Sequence, residues 1–172
     1  PDSILSITGS SKRLSVFNNV FSDFSLSATV SNDEMTFGVN STSLDLLRQS
    51  KLNDFRISLN TVPDNFVFNV DWGEKDRLAN SGSFAARGTY ISKQDKKQLP
   101  FLKIDIDSSN VYARNNLWKI NHSEIIIDSS SIKIDRFLAG NRDYFYTVDG
   151  AVSENPGDTL NMGFKGIDIT PV

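Results

Sequence analysis

The chain has 172 residues, with 18 Lys and Arg against 21 Asp and Glu, for a net charge of −3. Its basic residues are scattered, the densest group being Lys93, Lys96 and Lys97, so the basic face that a nucleic-acid partner needs is missing. With no Cys and a single His, disulfides, thiolate metal sites, Cys nucleophiles and an ordinary zinc site are excluded.

No run approaches the ~20 apolar residues of a membrane-spanning helix. The chain opens on Pro1-Asp2 and is expected to be a section of a longer protein whose targeting signal lies elsewhere. Twelve Phe, together with many Ile, Val, Thr and Tyr interleaved with Ser, Asn and Asp, disfavour long helices and favour strands.

Along the chain the apolar period is two. "FSLSATV" sets Phe24, Leu26, Ala28 and Val30 against Ser25, Ser27 and Thr29. Met35, Phe37 and Val39 follow. "STSLDLLRQSKL", 41–52, breaks the period and predicts one or two helical turns, with Ser41 or Ser43 as N-cap and Leu44 and Leu47 on one side. The strand period resumes with Phe66, Phe68, Val70 and Trp72. Next come Phe84, Ala86, Gly88 and Tyr90, and then Leu102, Ile104 and Ile106. The Ile-rich runs 125–127 and 132–134 flank three serines. Tyr144, Tyr146 and Val148, then Leu160, Met162 and Phe164, and finally Ile167 and Ile169 complete the series.

Turn signals separate the runs. They are Asn18-Asn19, Ser31-Asn32-Asp33, Pro63-Asp64-Asn65, Asn80-Ser81-Gly82, Ser108-Ser109-Asn110, Asn115-Asn116, Gly140-Asn141 and Asn155-Pro156-Gly157-Asp158. The spacing predicts an all-β antiparallel meander of up to a dozen strands. One face of each strand is apolar. Such a sheet either closes into a sandwich or folds along its length into a gutter with the apolar faces inside.

Catalytic patterns are absent. His122 sits in "WKINHSE" without a nucleophile-elbow motif, and reads as a turn histidine. "DIDSSN", 105–110, lacks the Gly and the terminal Glu of a calcium loop, so Asp105 and Asp107 read as a solvated strand face. No phosphate-loop motif occurs. Asn40-Ser41-Thr42 and Asn121-His122-Ser123 match the glycosylation sequon, as an Asn/Ser-rich chain does by chance. Trp72, Trp118, Tyr90, Tyr144 and Tyr146 are candidates for a sugar-stacking platform or for cross-strand pairs.

One block carries more information. "NNLWKINHSEIIIDSSSIKIDRFLAGNRDYFYTVDGAVSENPGDTLNMGFKGIDI", 115–169, resembles the TamB family, the translocation and assembly module proteins related to AsmA. The shared features are "WKI" followed by "SEIIID", then "IKIDRF", a strand ending "VDGAVS", "NPGDTL" and an "FKGIDI" strand. The block covers about a third of the chain. Residues 20–90 fit the family's style without so distinctive a motif.

The resemblance implies an all-β fold in which a long antiparallel meander sheet is bent into a half-open, taco-like apolar groove, with 1–172 forming one segment of it. It implies a periplasmic location within an inner-membrane-anchored envelope protein, phospholipid or another acyl-chain lipid as cargo, and a BamA-type outer-membrane barrel as partner. It implies neither catalysis nor a cofactor. The family's membrane anchor, great length and barrel-docking end are not in this chain, so an internal or near-terminal section is expected. The residues expected to line the groove are Phe24, Leu26, Val30, Phe37, Phe66, Phe68, Val70, Ile104, Ile106, Ile132, Ile134, Tyr146, Val148, Leu160, Met162 and Phe164. An open apolar trough also favours pairing of two copies. The competing expectations are the same fold holding an unfolded barrel strand at a sheet edge, and an extracellular β-sandwich for adhesion or carbohydrate binding.

Overall fold

The structure, a computed structural model, describes residues 4–46, 50–73, 80–91, 101–113 and 115–166. Thirteen strands span them: β1 (Ile4–Val16), β2 (Asn19–Ser31), β3 (Glu34–Leu46), β4 (Ser50–Val62), β5 (Asn65–Trp72), β6 (Asn80–Ile91), β7 (Phe101–Ile106), β8 (Ser109–Ala113), β9 (Asn116–Ile120), β10 (Ser123–Ile127), β11 (Ser131–Gly140), β12 (Phe145–Ser153) and β13 (Leu160–Lys165). All belong to one antiparallel sheet, as the alternation predicts. Ile167 and Ile169, expected to close the strand series, and the lysines 93, 96 and 97 lie outside the described residues.

The sheet has eleven rungs, or about 50 Å across at ~4.8 Å each. Two rungs are composite. β7 and β8 both pair with β6 and are separated by Asp107 and Ser108. β10 and β9 both pair with β11 and are separated by Asn121 and His122. Tight turns join several rungs. Phe17 and Asn18 both have positive φ (48° and 64°) between the paired Val16 and Asn19, the conformation that twists a two-residue hairpin correctly. Asn32, Asp64 and Asn115 place the same tolerant residue types at positive φ in other hairpin turns.

Two local expectations are corrected. The stretch 41–46 and 50–52 is strand, not helix, with Leu44 paired to Leu52 across β3 and β4. One or two isolated helical turns have too little cooperativity to compete with a ladder that gives each residue a partner on both sides. Leu47 lies outside the described residues. The turn signal Asn80-Ser81-Gly82 opens β6 and pairs with Ala113, Tyr112 and Val111 of β8. There Gly82 serves close packing, since a Cβ on it would come within 2.8 Å of the Trp72 ring.

A crease crosses the first four rungs. Lys12, Asp23, Thr42 and Asp54 lie opposite one another in register but drop out of the pairing ladder. Asp23 and Asp54 have φ of 48° and 51°. The crease reverses which residues face the apolar side. In β2 the even residues Phe24 to Val30 give way to Phe21, whose ring meets both Phe24 (centroids 5.8 Å apart) and Phe55 (6.1 Å). Serine hydroxyls bind the crease together: Ser41 donates to the carbonyls of Ser22 (2.6 Å) and Ser43 (2.7 Å), and Thr42 to Asp23 (3.1 Å).

Little of the chain is deeply buried. Among the described residues the buried apolar side chains are Val39, Leu44, Phe55, Ala86 and Ile106. The accessible surface is 12228 Å², whereas a compact 19.1 kDa monomer exposes about 8400 Å². Apart from β4 and β6, the backbones of the described strands come close only to those of their ladder neighbours.

Candidate functional site

The register sorts the side chains into two faces. One transverse row runs Leu5, Val30, Met35, Thr61, Phe66, Gly88, Ile104, Ile125, Ile134, Gly150, Leu160, with one residue from each of the eleven rungs. A second row runs Ile7, Ala28, Phe37, Leu59, Phe68, Ala86, Ile106, Ser123. All sixteen residues expected to line a groove fall on this face, on these rows or on neighbouring ones.

Two devices keep the face continuous. At Gly88 a Cβ would collide with the Phe66 ring, so Phe66 lies flat over its cross-strand glycine and fills the space a side chain would take. In β11 a bulge sets Asp135 and Arg136 against Asp149. The bulge shifts the parity so that Phe137, paired with Val148, stays on the side of Ile134.

The face is uneven in exposure. It is open at its ends, with Leu5 61 % and Met162 62 % exposed, and closed further in, where Val39, Leu44, Phe55, Ala86, Ile106 and Ser123 are buried. At the β13 end it finishes in an aromatic cluster. Trp118 stacks on Tyr144 (6.2 Å) and Tyr146 (5.9 Å), and Tyr146 meets Phe164 edge-on (6.1 Å). Of the candidate platform, the structure brings Trp118, Tyr144 and Tyr146 together. Trp72 packs over Gly82, and Tyr90 sits in a separate row opposite Leu102.

The reverse face is charged where β6, β7, β10 and β11 meet. Arg87, Asp105, Glu124 and Asp135 form a transverse row. The Lys103 ammonium bridges Glu124 (2.7 Å) and Asp105 (3.5 Å), and Arg87 pairs with Asp107 at 2.5 Å. The hydrogen bond to Glu124, with the nearby Asp105 charge, raises the Lys103 pKa against a smaller opposing desolvation. Asp105 and Asp107 are therefore ion-pairing residues of a strand face. His122 is exposed in the break between β9 and β10. Its neighbour Ser123 is buried and donates to the carbonyl of Asp135 at 2.9 Å, so the Ser123 hydroxyl is not aimed at the histidine. No cluster of three metal-ligating side chains occurs among the described residues.

Concavities open on the reverse face along the breaks in the sheet. One, about 1010 Å³, lies between the β8–β9 and β11–β12 turns and is lined by Leu117, Lys119, Leu138, Gly140, Arg142 and Phe145 among others. A smaller one of about 580 Å³ lies beside Asp54, Gly73 and Tyr112. None of the sixteen expected groove residues lines either. Sequence reasoning missed the larger concavity. Its signal was the pairing of apolar neighbours, Leu117 with Trp118, Phe137 with Leu138 and Phe145 with Tyr146, which makes these strands apolar on both faces.

No family model, curated protein or solved structure matches the chain.

Proposed function

We propose that this chain is a section of a TamB/AsmA-like cell-envelope protein, whose apolar sheet face curls into a groove that carries the acyl chains of phospholipid between membranes. The observation that carries this reading is the transverse row from Leu5 to Leu160, which crosses all eleven rungs with no charged residue in it. Each methylene laid against such a surface gains about 0.8 kcal/mol. No charged residue interrupts the row, so a chain bound at one rung passes to the next without crossing a polar barrier. The headgroup stays at the open side, in water. A BamA-type barrel partner and a periplasmic setting rest on the sequence resemblance alone. The sandwich alternative calls for a second sheet to cover the apolar face, and the described strands form one sheet with β1 and β13 at its two ends.

The test is native mass spectrometry with lipid extraction on protein purified from a Gram-negative host. Co-purified phospholipid or fatty acid is expected. It should be lost in Ile104→Asp and Ile134→Asp, which flank Ile125 in the row, while far-ultraviolet circular dichroism keeps its strand signature. A folded wild-type chain free of lipid, or folded variants with undiminished lipid, would sink the reading.

A further inference from the structure

The concavity of about 1010 Å³ on the reverse face is not used by the function proposed above. It lies on the opposite side of the sheet from Trp118, Ala139 and Tyr146. Two rows of the ladder make its floor: Thr147 opposite Leu138, and Phe145 opposite Gly140 opposite Lys119. Leu117, Leu138 and Phe145 supply apolar surface. Gly140 leaves bare backbone between them, because a Cβ there would come within 2.9 Å of the Phe145 Cβ. The floor is therefore a flat apolar slot, about 10 Å across two strand spacings and two residues long.

The rim is cationic on balance. Lys119 rises from β9. Arg142 and Asp143 stand on the β11–β12 turn, which is fixed by its own bonds: Asn141 Oδ1 accepts the N–H groups of Asp143 and Tyr144, both at 2.8 Å, and Asn141 N–H donates to the Tyr144 carbonyl at 2.8 Å. Among the described residues neither Lys119 nor Arg142 forms an ion pair, whereas Lys103 and Arg87 on the same face do. Two unpaired cations and one carboxylate thus frame an apolar slot of a volume typical for small-ligand sites.

We propose that this slot binds a compact amphipathic carboxylate, a medium-chain or aromatic acid whose apolar body lies on Leu117, Leu138 and Phe145 and whose carboxylate is held between Lys119 and Arg142. The slot is too short for a diacyl lipid, and its charge selects an anion over an alcohol or an amine. The site is independent of the lipid-carrying face, so either can fail without the other.

The probe is octanoate, below its micelle threshold, followed by amide chemical shifts in isotope-labelled protein. Saturable shifts are expected at Leu117, Lys119, Leu138, Gly140, Phe145 and Thr147, with no movement at Gly88 or Ile104. Octanol, equal in length but uncharged, should bind about tenfold more weakly, as should octanoate to the Lys119→Glu/Arg142→Glu variant, an ion contact of roughly 1.4 kcal/mol. Both substituted positions are exposed, so the fold should tolerate the changes. Shifts confined to the apolar face, octanol binding equal to octanoate, or no shift at all would each overturn the proposal.

Discussion

The backbone N–H of Arg136 donates to the carboxylate of Asp149 at 2.9 Å, and this bond closes the bulge that keeps β11 in phase with β12. Arg136 has φ of 48°, so its amide leaves the ladder and needs another acceptor. Asp149, the single residue opposite the bulge, provides it. Asp149→Ala should cost about 1 kcal/mol, whereas Asp149→Asn, which keeps an acceptor oxygen, should cost less. Urea midpoints measure the difference, and faster amide exchange at Arg136 in the Ala variant locates it. Equal midpoints for Ala and Asn would mean that the bulge holds without the bond.

The crease makes a second claim on backbone conformation. Asp54 has φ of 51° in the middle of a thirteen-residue strand, a region Asp tolerates and a β-branched residue does not. Asp54→Val should lose about 2 kcal/mol. Asp54→Gly should change stability by less than about 1 kcal/mol, because relief of the left-handed conformation offsets the added freedom of the unfolded chain. Thermal unfolding of the pair decides this. A Val variant as stable as wild type would show that the crease can straighten freely.

The alternation that makes strands was plain in the sequence, because a period of two needs no tertiary information. It also put all sixteen expected residues on one face. Strictly counted, however, alternation would move Phe21 to the face opposite Phe24, and Phe137 to the face opposite Ile134. The structure keeps them together through the positive-φ residues Asp23 and Arg136. A signal was present: Ser22-Asp23-Phe24 and Asn53-Asp54-Phe55 each place an Asp just before a Phe of the apolar face, and Asp135-Arg136-Phe137 places one two residues before. It went unread because an Asp inside a strand reads first as a solvent-facing residue. The helical expectation at 41–52 failed for a related reason, since the crease at Thr42 disturbs the period that would have marked a strand. The reverse-face slot depends on two turns meeting across β9, β11 and β12, and no local pattern encodes that meeting.

Phe66 and Gly88 test the continuity of the apolar face. The ring of Phe66 occupies the space in which a Gly88 side chain would stand. Gly88→Val should therefore displace the ring, exposing it or forcing it off-rotamer, at a cost of about 1–3 kcal/mol. Phe66→Ala should lose a comparable amount by uncovering backbone. The double variant Phe66→Ala/Gly88→Val should recover part of the loss, because the valine fills the vacated space. Strict additivity in a double-mutant cycle would show that the ring does not rest on the glycine.

Asp128 should make the β10–β11 hairpin sensitive to pH. Its Oδ1 accepts the N–H groups of Ser130 (2.8 Å) and Ser131 (2.7 Å), and its Oδ2 accepts the Ser131 hydroxyl (3.0 Å). The Ser130 backbone bond and the Ser131 hydroxyl, against a smaller desolvation, hold its pKa below the usual carboxylate value. The unfolded chain has the ordinary value, so the folded state binds the proton less readily than the unfolded one. The stabilisation is complete above the ordinary carboxylate range. It declines as pH falls through that range and is lost once pH passes below the depressed folded value. Carboxyl carbon shifts should give Asp128 a midpoint below that of an unstructured peptide. Amide protection at Ser131 should fall over the same interval, and in Asp128→Asn the protection should lose that pH dependence. An ordinary midpoint for Asp128, or an Asn variant that keeps the full pH response, would assign the effect to another carboxylate.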